Sequence, residues 1–134
     1  MKIDYDYMTK IFNVFLEAET PTVDYEAFKD LRDGKLYDDK FIFHIRLLSD
    51  ELLISDQQGD SSMKALGVMP MMAGGYIINF NPWRLTSEGH KFACTLVKPD
   101  ILATIIEKFN KEGLSVVMYV VKQLAQKQAD KLLG

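Results

Sequence analysis

Met8, Ile11, Phe12, Phe15 and Leu16 recur at helical spacing, which predicts an amphipathic helix over residues 4 to about 18. Asp4 stands where an N-cap belongs, and Asp6 favours the positive helix end. Thr20-Pro21-Thr22 stops the helix, because proline drives its predecessor into extended backbone. Residues 23–35 carry two patterns at once. Val23, Tyr25 and Ala27 alternate like a strand, whereas Phe28 and Leu31 suit a helical turn, and Gly34 closes the segment. Phe41, Ile45 and Leu48, flanked by Ile42 and Leu47, then predict a second helix capped by Asp38.

Residues 52–57 and 76–80 read as strands, the second ended by Pro82. The eighteen residues between them hold Gly59, Gly67, Pro70, Gly74 and Gly75, so the two strands predict a hairpin with a long tip. Thr86 is placed to cap a third helix, with Glu88 in its first turn and Gly89, Phe92, Ala93 and Leu96 on one face. Pro99 opens a fourth, carrying Leu102, Ile105, Ile106 and Phe109, and Gly113 stops it. Ser115 is expected to cap a last helix with Val117, Val120, Val121 and Leu124 inward.

Helix, short element, helix, strand, long tip, strand, then helices is the order of a winged helix. The predicted fold is α+β: a winged helix-turn-helix-like domain with a two-stranded β-hairpin wing and a C-terminal helical pair. No repeat or low-complexity linker divides the chain, so 1–134 is one domain. Within it, 1–57 is the helix-turn-helix half with the first wing strand, 58–75 the tip, 76–83 the second wing strand, and 86–133 the helices.

Met1-Lys2-Ile3-Asp4, His44-Ile45-Arg46-Leu47-Leu48 leading to Leu53-Ile54, and Leu85-Thr86-Ser87-Glu88-Gly89-His90-Lys91-Phe92 form a combination that is more specific than any one piece. Together they resemble the uncharacterised bacterial and prophage family called domain of unknown function 2513, over nearly the whole chain. The resemblance implies a winged-helix-like fold and no established activity. It also implies a role for His90 in ordering the strand-to-helix corner. One position departs from the family pattern: Leu52 stands where the family usually places glycine after the second helix. Glycine takes a left-handed stop cheaply and leucine does not, so an irregular helix end is expected there. The tip is also unusually long and apolar for the family.

Composition narrows the class. A chain of 134 residues, 48% hydrophobic and 26% charged, is long enough for one core and too apolar for disorder. The apolar stretch 114–121 is too short to span a bilayer, so no membrane partner is expected. The start is too acidic for a secretory leader, and the single Cys94 precludes an internal disulfide, which together predict a cytoplasmic location. Charge divides unevenly. Residues 1–60 hold seven Lys/Arg against fourteen Asp/Glu, a balance of −7, and residues 61–134 hold nine against five, a balance of +4. The acidic half is the one containing the helix-turn-helix, which disfavours phosphate binding there.

Catalytic signatures are weak. Gly59-Asp60-Ser61-Ser62 resembles a serine-esterase nucleophile block but has no downstream Asp-x-x-His partner, and it reads as a polar turn. Gly74-Gly75 lacks the lysine and following helix of a phosphate loop. His44 and His90 are not at a zinc-site spacing and are read first as helix-packing or hydrogen-bonding side chains, and Cys94, between Ala93 and Thr95, reads as a buried inert thiol. No enzyme, metal, cofactor or small-molecule substrate is expected.

Two functions remain. A DNA-binding regulator would use Lys35, Lys40, His44 and Arg46 around the second helix and Lys64 on the tip, binding duplex DNA weakly. A protein-interaction module would use the tip, where four of the seven methionines lie, through Met69, Met71 and Met72. Val116, Met118 and Tyr119 widen the apolar surface of the last helix and predict contact with a protein partner or a second copy in a homodimer.

Overall fold

The computed structural model describes all 134 residues. Helix α1 spans Tyr5–Leu16, and the Asp4 carboxylate accepts the Tyr7 N–H at 2.9 Å. Tyr5, Met8, Ile11 and Phe12 form its buried face. Both patterns in residues 23–35 are realised in succession. Val23 makes an isolated antiparallel bridge to Trp83, and Tyr25–Arg32 then winds as a 3-10 helix capped by Asp24. Tyr25 and Phe28 turn into the core. Helix α2, Asp39–Asp50, follows with Asp38 as its cap, and it buries Phe41, Ile42, Ile45 and Leu48.

The strand pairing differs from expectation. β1 (Ile54–Asp56) pairs with β4 (Trp83–Leu85), while β2 (Val68–Pro70) pairs with β3 (Tyr76–Ile78), both antiparallel. Residues 76–80 therefore do not form the second strand of a wing with residues 52–57. They join a nested hairpin inside the tip, across a turn at residues 71–75. That turn closes a far shorter loop than the one expected, and short loops cost less entropy to close. Trp83 takes the place opposite Asp56 instead and also bonds Val23 through both backbone groups, so Val23, β4 and β1 lie side by side.

The base of the tip folds onto the core. Leu66 and Val68 are fully buried, and the Trp83 indole N–H donates to the Leu66 carbonyl at 2.8 Å. The Ser49 hydroxyl on α2 donates to the Ser61 carbonyl, so the tip is fastened to both neighbours. Trp83 is the hub of the aromatic core, stacked parallel to Phe41 and packed on Tyr25 and Phe28.

Three helices complete the fold: α3 (Ser87–Leu96), α4 (Pro99–Lys108) and α5 (Leu114–Leu133). Thr86 caps α3, and Phe92 packs edge-on against Phe12 of α1. On α4, Ile101 and Ile105 are the buried pair, Leu102 is half-buried and Ile106 is exposed. α5 begins one residue before Ser115, with Gly113 at the cap position and no side-chain cap, so Ser115 is an exposed first-turn residue. Buried Tyr5 reaches the segment before α5 by donating to the Glu112 carbonyl at 2.8 Å. No helix is long and apolar enough to cross a membrane.

Candidate functional site

The expected nucleic-acid set divides once the side chains are in place. His44 is fully buried and unavailable to a groove. Its Nδ1 lies 2.8 Å from the Lys40 carbonyl, and its Nε2 accepts the Asp4 N–H at 2.9 Å. The ring is thus a neutral connector that pins the start of α1 to α2, and burial pushes its pKa below the ordinary 6.5. Lys40 is spent on the same junction. Its ammonium lies 2.8 Å from the Asp4 carboxylate and 4.6 Å from the centre of the Tyr7 ring. Partial desolvation pushes the Asp4 carboxyl up, but the Lys40 contact and the Tyr7 N–H outweigh it and hold Asp4 below the ordinary value.

Lys35, Arg46 and Lys64 are exposed and enter no ion pair. Arg46 and Lys64 come from segments joined by the Ser49–Ser61 hydrogen bond, whereas Lys35 precedes α2 at its other end. Asp39 and Asp50 are also exposed on α2, with Glu51 half-exposed at its end. Arg46 is the one unpaired cation on that helix.

The tip supplies apolar surface instead. Met69 is half-buried opposite Ile77, but Met71 is 44% exposed and Met72 wholly exposed at the turn. Ile77, Phe80 and Leu36, which sequence reading did not single out, are each about half exposed as well. Tyr37, in the segment before α2, packs edge-on against Tyr76 at 5.4 Å and leaves no room for a side chain at Gly75. The tip and the approach to α2 therefore form one exposed surface carrying Met71, Tyr37 and Tyr76.

On α5, Val116 and Tyr119 are exposed and Met118 is half-buried. Met118 and Tyr119 line a groove of about 670 Å³ between α3 and α5. Cys94 lies in this groove and is exposed, contrary to expectation, with its sulfur 3.4 Å from Nε2 of His90. His90 is exposed too, one helical turn from Cys94, and the strand-to-helix corner is held by Thr86 rather than by His90. The spacing His90-x-x-x-Cys94 was the available signal, since residues four apart share one helix face.

No group of three or more His, Cys, Asp or Glu side chains is gathered as metal ligands. No family model, curated protein or solved structure matches the chain.

Proposed function

We propose that this chain is a non-enzymatic, winged-helix-like recognition module whose partner is a protein, met chiefly by the tip. The order α1, Val23 bridge, 3-10 helix, α2, β1, tip and β4 supports the winged-helix reading, with α2 as the helix that would enter a major groove. One observation carries the choice of partner. On that helix Lys40 is bound to Asp4, His44 is buried, and Arg46 faces solvent among Asp39, Asp50 and Glu51. DNA affinity depends on cations neutralising phosphates, and one cation among three acids is a poor start. The exposed Met71 and Met72, beside Tyr37 and Tyr76, offer the adaptable apolar contact that protein surfaces use.

The motifs behind the family resemblance fit this reading, because His44, Thr86 and Gly89 serve the scaffold rather than a reaction. A second reading keeps weak duplex binding through Lys35, Arg46 and Lys64, which are free to reach phosphates.

Titration of labelled duplex DNA at low and moderate salt, beside light scattering for mass, tests the proposal. Half-saturation above roughly 10 µM at 150 mM salt, with no sequence preference, is expected, as befits non-specific contact. Sub-micromolar, sequence-selective binding would overturn it. In the same scattering experiment a second copy is the first partner to look for, and Met72→Asp lowers the mass if the tip makes that contact.

A further inference from the structure

We propose that Cys94 is a reactive thiol, served by His90 as its base, that accepts a small anionic disulfide in the groove between α3 and α5. The pair stands on geometry. Cys94 and His90 lie on one exposed face of α3 with sulfur and Nε2 3.4 Å apart, a hydrogen-bonding distance for sulfur. A nucleophile and its base within reach of each other is the arrangement that thiol chemistry needs. Both open into the groove, whose volume of about 670 Å³ is that of a small-molecule site.

The walls select the ligand. Phe92, Met118 and Tyr119 give apolar area on either side. Glu88 is engaged by Lys91 at 3.4 Å, whereas Lys122 lines the groove with no ion-pair partner. The uncompensated charge at the wall is therefore positive, which favours an anionic disulfide such as oxidised glutathione over a cationic one.

The step is thiol–disulfide exchange. The Cys94 thiol proton passes to His90 Nε2 as Sγ attacks one sulfur of the small disulfide R–S–S–R. The new Sγ–S bond forms while the old S–S bond breaks, and the departing thiolate takes the proton from His90 and leaves as RSH. Cys94 is oxidised to a mixed disulfide and the released half of the ligand is reduced. The small disulfide is the only oxidant required.

The test incubates the full chain with oxidised glutathione or with cystamine, its cationic counterpart, and follows adduct formation by intact-protein mass spectrometry. One glutathionyl adduct is expected, absent in Cys94→Ser. His90→Ala and His90→Gln, both at an exposed position, should each react about tenfold more slowly at pH 7. The gap should close towards pH 10, where thiols ionise without a base. Lys122→Glu should slow the glutathione reaction and speed the cystamine reaction by several-fold. Equal rates for the wild type and both His90 variants at pH 7, or a wild-type preference for cystamine, would overturn the proposal. A His90 deficit that persists unchanged at pH 10 would also overturn it, by making His90 a structural prop rather than a base.

Discussion

The hydroxyl of Thr86 donates to the carbonyl of Leu52 at 2.7 Å, tying the end of α2 to the start of α3 across 34 residues of chain. The same oxygen accepts the Gly89 N–H at 3.1 Å, so one side chain both caps α3 and anchors it. Leu52 holds the other side of this junction in a left-handed conformation, with φ at 58°. The Leu53 N–H reaches back to the Leu48 carbonyl and the Leu52 N–H to that of Ser49, a Schellman closure that glycine usually makes. The irregular end expected from leucine at this position is thus a regular C-cap built on an unfavourable residue.

Leu52→Gly should therefore stabilise the protein. Left-handed backbone costs a leucine roughly 1–2 kcal/mol, while the added freedom of glycine in the unfolded chain returns about 0.5–1 kcal/mol of that gain. The side chain is 64% exposed, so little burial is lost. A net gain of about 0.5–1 kcal/mol, read as a Tm higher by about 3 °C, is expected. A lower Tm would mean that the exposed Leu52 side chain contributes contacts outweighing its backbone strain.

Gly89 has the opposite requirement. A Cβ at this position would stand 2.8 Å from the Leu53 carbonyl carbon and closer still to its oxygen. Backbone cannot step aside as a flexible side chain can, and the Leu53 oxygen is already held by the Thr86 N–H at 3.0 Å. Gly89→Ala should cost about 3 kcal/mol despite alanine's better helix propensity. Urea unfolding measures it, and a loss under 1 kcal/mol would show that α3 can shift away from β1.

Local chemistry was legible and long-range pairing was not. Asp4, Asp38 and Thr86 were readable as caps because a cap acts within three residues of itself. The pairing of β1 with Trp83–Leu85 could not be read from alternation, since three-residue strands carry too little pattern to choose among partners. Cys94 was misread for another reason. Gly89, Phe92, Ala93 and Leu96 define the buried stripe of α3, and Cys94 lies off it, yet the usual burial of cysteine prevailed over helical position. His44 sits within the helical stripe of Ile45 and Leu48 and is the packing, hydrogen-bonding histidine that this position favours rather than a groove contact, but its partner, the Asp4 N–H, is 40 residues away and could not be read.

Acid should destabilise the fold in two steps, through His44 and then Asp4. The folded His44 has its Nδ1 proton directed at the Lys40 carbonyl and its bare Nε2 occupied by the Asp4 N–H. A second ring proton would evict that N–H, and burial opposes the charge as well, so the folded pKa lies below 6.5. The unfolded histidine takes a proton near pH 6.5 while the folded one refuses it, so its contribution is full above that pH and is lost as pH falls towards the depressed folded value. The Asp4 carboxyl is likewise held below its ordinary 3.8, so its contribution is present above that pH and lost as pH falls through the folded value. Urea midpoints should be level from pH 8 to 7, decline below 6.5, and decline again below 4. His44→Gln should abolish the first decline and leave the second; a first decline of unchanged size in that variant would refute the assignment.

Trp83 is the residue on which the tip depends, and its removal should loosen the tip more than the helices. Its indole N–H donates to the Leu66 carbonyl, its ring lies on Phe28, Phe41 and Tyr25, and its backbone bonds Val23 through both groups while its strand pairs with β1 on the other side. Trp83→Phe keeps an aromatic ring but leaves the buried Leu66 carbonyl without its donor and opens a small void. Those losses cost about 1–3 kcal/mol and about 1 kcal/mol respectively. Because Leu66 leads into β2, the amides of Val68 and Asn79, which donate to the Met63 and Gly67 carbonyls, should exchange faster with solvent by roughly tenfold or more than the global loss of stability explains. Helix amides at Ile11 and Ile45 should follow the global loss alone. Uniform acceleration at all four positions would mean that the tip and the helices open as one unit, and that the nested hairpin has no independent motion with which to adapt to a partner.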